Sequence, residues 1–168
     1  LLSPGKLASA HQELEGLRNC TSCHQLGRSG ISAERCLTCH ELVADRITAG
    51  SGYHASVPPD ACATCHQEHL GVDFALVRLD ASSFDHTEVG YPLVQSHSDL
   101  DCRSCHEASH ITDPAVLALK GERGALATTF LGLPTDCAGC HATDSPHGQQ
   151  FGSRACQDCH DTGRWEEP

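Results

Sequence analysis

Methionine is absent from all 168 residues, and aromatic side chains make up only 4% of them, with one Trp, two Tyr and four Phe. Leu, Ile, Val and Phe together supply 32 residues. That is about 19%, too few beside a formal charge of −11 for a chain that folds around its own side chains. Basic residues are scarce, 11 against 22 acidic, which argues against nucleic acid as a partner. No apolar run approaches the ~18 residues that would span a bilayer, so no transmembrane segment is expected. No charged start with an apolar centre marks a signal peptide, so the sequence reads as a mature or trimmed chain. No cysteine stands outside one repeated motif, which leaves none for a separate disulfide or a lone nucleophile.

What the chain has instead is Cys-x-x-Cys-His, six times over. The copies are Cys20/Cys23/His24, Cys36/Cys39/His40, Cys62/Cys65/His66, Cys102/Cys105/His106, Cys137/Cys140/His141 and Cys156/Cys159/His160, and they use all 12 cysteines. This is the attachment signature of a c-type haem, in which two thiols bond to the porphyrin and the adjoining imidazole becomes an axial iron ligand. Cys-x-x-Cys pairs also begin zinc ribbons, but zinc does not need a His after every second Cys. Paired disulfides leave the same histidines unexplained. Six covalent haem c groups are therefore expected, about 28 residues to each. Their apolar macrocycles would supply the core that the side chains lack.

With no Met, the His/Met ligation of high-potential cytochromes c is excluded. Seven further histidines exist, His11, His54, His69, His86, His97, His110 and His147, so six distal ligands can be drawn from them with one imidazole left over. Helical continuation after His66 would put His69 on the same face and bar it from the far side of the iron that His66 holds. It would then serve a neighbouring haem or none. The same applies to His110, four residues beyond His106.

Along the chain, Leu7, Leu14 and Leu17 predict a helix over Ser9 to Arg18 that delivers His11. A second helix is predicted from Ala33 to Ile47, stopped by Gly50 and Gly52. A soft boundary falls around 70 to 82 and divides three-haem modules 1–76 and 77–168, read as parts of one continuous haem chain. Pro114 to Lys120 reads as a short helix ended by Gly121 to Gly124, and residues 107–134 read as a surface excursion. The expected fold class is mostly coil with short α-helices, organised by haem, with little or no β-sheet.

The chain resembles the multihaem cytochromes c related to the class III tetrahaem and trihaem cytochromes, and especially their larger modular relatives. The resemblance rests on Phe84-Asp85-His86, Tyr91-Pro92-Leu93, His97, Cys102 to His106, Gly132-Leu133-Pro134, Cys137 to His141, His147-Gly148-Gln149, Phe151-Gly152 and Cys156 to His160. Ser3-Pro4-Gly5, Gly52-Tyr53-His54 and Cys65 to His69 extend it through the first half. It implies distal ligation by His11, His54, His69, His86, His97 and His147, with His110 in an insertion as the spare. It also implies export to the periplasm or cell exterior.

These readings lead to an electron carrier with saturated irons rather than an enzyme. It would serve as a periplasmic shuttle to redox partner proteins or as an extracellular filament subunit passing electrons to extracellular acceptors. The stop at Pro168, just after Gly163-Arg164-Trp165 where relatives of that family often continue with further modules, and the close pairs of attachment sites near both ends are the ground for expecting self-assembly. A multihaem oxidoreductase with one open iron acting on a small nitrogen or sulfur compound is the competing class. A subunit of a larger electron-transfer complex is the third.

Overall fold

The computed structural model describes residues 5–27, 30–119, 126–163 and 165. These are mostly coil with short helices, and among them no strand forms; a lone antiparallel bridge pairs His24 with Ile31. The helices are α1 (Cys20–Cys23), α2 (Ala33–Leu37), α3 (Glu41–Ala49), α4 (Tyr53–Ser56), α5 (Cys62–Cys65), α6 (Cys102–Cys105), α7 (Pro114–Leu117) and α8 (Ala138–His141), joined by coil and 3₁₀ turns. The longest has nine residues. At such lengths a helix cannot sustain itself in water. Each must be held by what surrounds it.

Two predicted helices are corrected by local chemistry. The one expected from Ser9 to Arg18 is a 3₁₀ turn over Ser9–Leu14, ended by extended backbone at Glu15 and by Gly16 at φ 122°. The one expected from Ala33 to Ile47 is broken into α2 and α3, because the second attachment motif leaves helical geometry at His40, with φ −94° and ψ 56°. Gly50 then ends α3 in the left-handed region at φ 65°, where a side chain would be strained. The helix at Pro114 has Pro in its first turn and Asp113 accepting a bond from the Ala115 amide as its cap. The end expected for it at Lys120 to Gly124 lies outside the described residues.

The chain divides into two compact units, Leu1–Gly90 and Tyr91–Pro168. Three attachment motifs fall in each. The division comes after the 70–82 stretch and after the 76/77 boundary, because residues following 77 pack with the first unit. Phe84 lies 5.6 Å from the Tyr53 ring of α4, and the 3₁₀ turn His86–Val89 packs on the same helix.

The first unit is closed by its opening segment. The Ser9 amide donates to the Val72 carbonyl at 3.0 Å and the Gly71 amide to the Lys6 carbonyl at 3.1 Å. Ala8, only 2% exposed, donates from its amide to Glu68. Gly5 sits so close to the His69 backbone that an added Cβ would lie 2.2 Å from its carbonyl oxygen, so only glycine fits there.

In the second unit, Ile111 and Val116 are the buried pair, at 7% and 1% exposure. The Thr112 and Asp113 amides both bond to the Gly132 carbonyl, and a Cβ on Gly132 would come 2.9 Å from Ile111. The expected surface excursion at 107–134 is therefore corrected. It holds what little side-chain core this unit has.

Ala8, Ile111 and Val116 are the only buried hydrophobic residues among those described. Side chains alone leave the described residues with almost no hydrophobic interior. Among the described residues no helix is long and apolar enough to cross a membrane.

Candidate haem-binding sites

Each of the six motifs closes one helical turn in the same way. The amide of the motif histidine donates to the carbonyl of the first cysteine, at 2.8 Å for His24, 3.0 Å for His40, 2.8 Å for His66, 2.9 Å for His106, 2.8 Å for His141 and 2.9 Å for His160. Positions i, i+3 and i+4 of a turn share one face. Both thiols and the imidazole of every motif are thus presented together. No two of the twelve cysteines are joined by a disulfide. Burial first, then neighbouring thiols and, at Cys23 and Cys140, the carboxylates of Glu68 and Asp136, pushes Cys23, Cys36 and Cys140 above the ordinary thiol range. Among the described residues, no three His, Cys, Asp or Glu side chains gather as they would around zinc.

The remaining histidines come to the motif histidines in pairs. His11 and His40 have ring centres 5.9 Å apart, His24 and His69 6.2 Å, His54 and His66 6.1 Å, His97 and His141 6.3 Å, and His147 and His160 6.0 Å. Two imidazoles ligating one metal from opposite sides would have centres roughly 6.2–6.4 Å apart, from about 2.0–2.1 Å per bond and about 1.1 Å from nitrogen to ring centre. Ordinary aromatic contacts also fall between about 4.5 and 7 Å, so distance alone does not decide. Each of these five pairs joins one motif histidine to one outside the motifs, and the ten histidines in them are all different.

Several of these rings are oriented by a bond at Nδ1, which leaves the opposite nitrogen for the gap. His11 donates to the Glu68 carboxylate, His66 to the Leu76 carbonyl at 2.9 Å, His69 to the Gly5 carbonyl at 3.0 Å and His141 to Asp144 at 3.0 Å. Metal-bound histidines show this arrangement, the outer acceptor fixing tautomer and direction. Burial works to raise the Glu68 pKa, but bonds from the Ala8 amide and from His11 outweigh it, so the carboxyl sits below its usual range. His54 is lowered by burial and by His66, which keeps it in the neutral form that binds metal. Orphaned polarity is found in the second unit, where the Nδ1 of His160 is buried without a hydrogen-bond partner among the described residues. The residues present fit haem c at the motifs.

His69 stands against His24 and not against His66. The helical premise for that segment is corrected: α5 ends at Cys65, His66 is extended, and His69 lies in the left-handed region at φ 66°. The Phe84-Asp85-His86 stretch delivers His86 on a turn that Asp85 caps by accepting from the Thr87 amide at 2.8 Å. Those bonds hold Asp85 below the usual carboxylate range. Phe84 meets the His86 ring edge-on at 5.0 Å. His106 meets Phe130 at 5.0 Å, and the Nδ1 of His110 donates to the Cys105 carbonyl at 3.1 Å. His147 has Phe151 at its edge and His160 has Trp165 stacked on it at 4.5 Å.

Residue-type reasoning did not single out Glu68, Leu76, Asp144, Arg103 or Phe130. Asp144 follows His141 by three residues, a spacing that signals a local carboxylate partner. Leu76 acts through its carbonyl, which no sequence pattern announces. No family model, no curated protein and no solved structure matches the chain.

Proposed function

We propose that the chain is a multihaem c-type cytochrome that carries single electrons, with one haem at each of its six motifs. The observation that carries this reading is the pairing of five motif histidines with five others at centre distances of 5.9–6.3 Å. Haem c, when bound, supplies a reversible one-electron iron couple.

The chain's part is to attach, orient and shield. Cys20 and Cys23 would hold the group ligated by His24 and His69, Cys36 and Cys39 that of His40 and His11, and Cys62 and Cys65 that of His66 and His54. Cys137 and Cys140 would hold that of His141 and His97, and Cys156 and Cys159 that of His160 and His147. At Cys102 and Cys105 the proximal ligand would be His106; His86 and His110 are the candidate ligands outside the five pairs. Glu68, Leu76, Gly5 and Asp144 set ring direction through Nδ1. With the two histidines of each pair as its ligands, a haem at any of these five sites would have no position for a substrate, which supports carriage over catalysis. The low side-chain burial supports the same reading, since flat apolar groups would need to be enclosed by just such a chain.

Within this proposal the partners are redox proteins or extracellular acceptors, and the place is the periplasm or cell exterior. The test is expression with a c-type haem maturation system, followed by intact mass and electron paramagnetic resonance. Six covalent haem increments with low-spin ferric iron are expected. A chain that leaves its thiols unmodified, or that shows mainly high-spin iron, refutes the proposal.

A further inference from the structure

Arg103 is a variable residue inside the fourth motif, and the other five motifs have no arginine at either variable position. Its side chain folds back over its own turn. Nη1 donates to the His106 carbonyl at 2.8 Å and to the Thr129 carbonyl at 3.2 Å, while Nη2 donates to the Thr128 carbonyl at 3.2 Å. The guanidinium lies 4.4 Å from the centre of the Phe130 ring. Phe130 in turn meets the His106 ring at 5.0 Å with planes at 66°. One side chain thus joins the attachment turn to the segment 128–130 and sets an aromatic ring against the imidazole of the motif.

Arginine suits this position and lysine does not. Three carbonyls are reached from one planar fork, and the same plane lies over an aromatic face. An exposed arginine that merely pinned a loop would contribute little. Here the loop it pins ends in the residue that touches the ligand ring. The charge also matters, because the oxidised form of an iron site carries one more positive charge than the reduced form. A fixed cation nearby favours reduction.

We propose that Arg103 and Phe130 are positioning residues for His106, a clamp that sets the orientation of this ring and places a fixed positive charge beside the haem of Cys102 and Cys105. The proposal rests on the haem reading above. It makes this haem separable from the others by a change outside any ligand.

The experiment compares wild type with Arg103→Lys, Arg103→Gln and Phe130→Leu by intact mass, electron paramagnetic resonance and spectroelectrochemical titration. All variants are expected to retain six haems. Arg103→Lys, which keeps the charge and loses the fork, and Phe130→Leu should each alter one of six low-spin signals. Arg103→Gln should move one of six potentials downward, while Arg103→Lys largely preserves it. Wild type without covalent haem would overturn the haem reading and this proposal with it. Wild type with six haems, beside variants whose signals and potentials are unchanged, would overturn the clamp alone. If Arg103→Gln does not mature, Phe130→Leu decides the matter, and an unaltered His106 signal there refutes the clamp.

Discussion

Replacing His11 by Ala gives a test whose size and character both follow from the geometry. The His11 and His40 rings cross at 67°, whereas the other four pairs lie at 22°, 27°, 28° and 50°. Parallel imidazole planes split the two iron d orbitals that interact with them, and crossed planes leave those orbitals nearly degenerate. A crossed pair therefore produces a low-spin signal at large g, and near-parallel pairs produce rhombic spectra. In the His11→Ala protein one of six irons should turn high-spin, and the signal that vanishes should be a large-g one. Stability should fall as well. His11 also donates to Glu68, whose pKa lies below its usual range, and the two side chains are 32% and 16% exposed. A hydrogen bond to a charged group contributes about 1.5–3 kcal/mol, and this exposure argues for the lower end. Glu68→Gln, which keeps an acceptor oxygen and removes the charge, should leave all six irons low-spin. Low-temperature paramagnetic resonance and denaturant titration measure both effects. Six low-spin irons in His11→Ala, or loss of a rhombic signal in place of the large-g one, would refute the assignment of His11 to His40.

His69→Met should keep every iron low-spin while raising one potential, because a thioether ligand favours the reduced iron; redox titration reads the change, and an unchanged set of six potentials contradicts the pairing of His69 with His24. His110→Gln should leave all six irons low-spin, because five of the seven histidines outside the motifs face motif histidines and His86 is left to serve the remaining site, and a new high-spin signal would show that His110 is a ligand. Gly132→Ala should destabilise the second unit by about 1–3 kcal/mol, from overpacking against Ile111 and Val116 and from strain at φ 87°. Denaturation monitored by near-ultraviolet and Soret dichroism would detect it, and a midpoint equal to wild type would contradict the packing.

Much of the candidate site was legible because it is local. Cys-x-x-Cys-His puts its three functional side chains on one face of a single turn, and a turn is set by five consecutive residues whatever the rest of the chain does. The shortage of Leu, Ile, Val and Phe likewise foretold a chain with few buried side chains. Tertiary structure decided which distant histidine reaches which motif. His69 comes to His24 from far along the chain, with its backbone close against Gly5 and residues 71 and 72 tied to the opening segment. It also decided that Ile111 and Val116 pack under Gly132, which composition hid inside an apparent excursion. Glu68, the Leu76 carbonyl and Arg103 act through groups that many sequences contain, and only the closure of loops brings them to a ligand ring. The geometry of a motif is encoded within five residues, whereas the histidine that comes to face it depends on contacts spanning up to tens of residues, whose geometry is set by the whole fold.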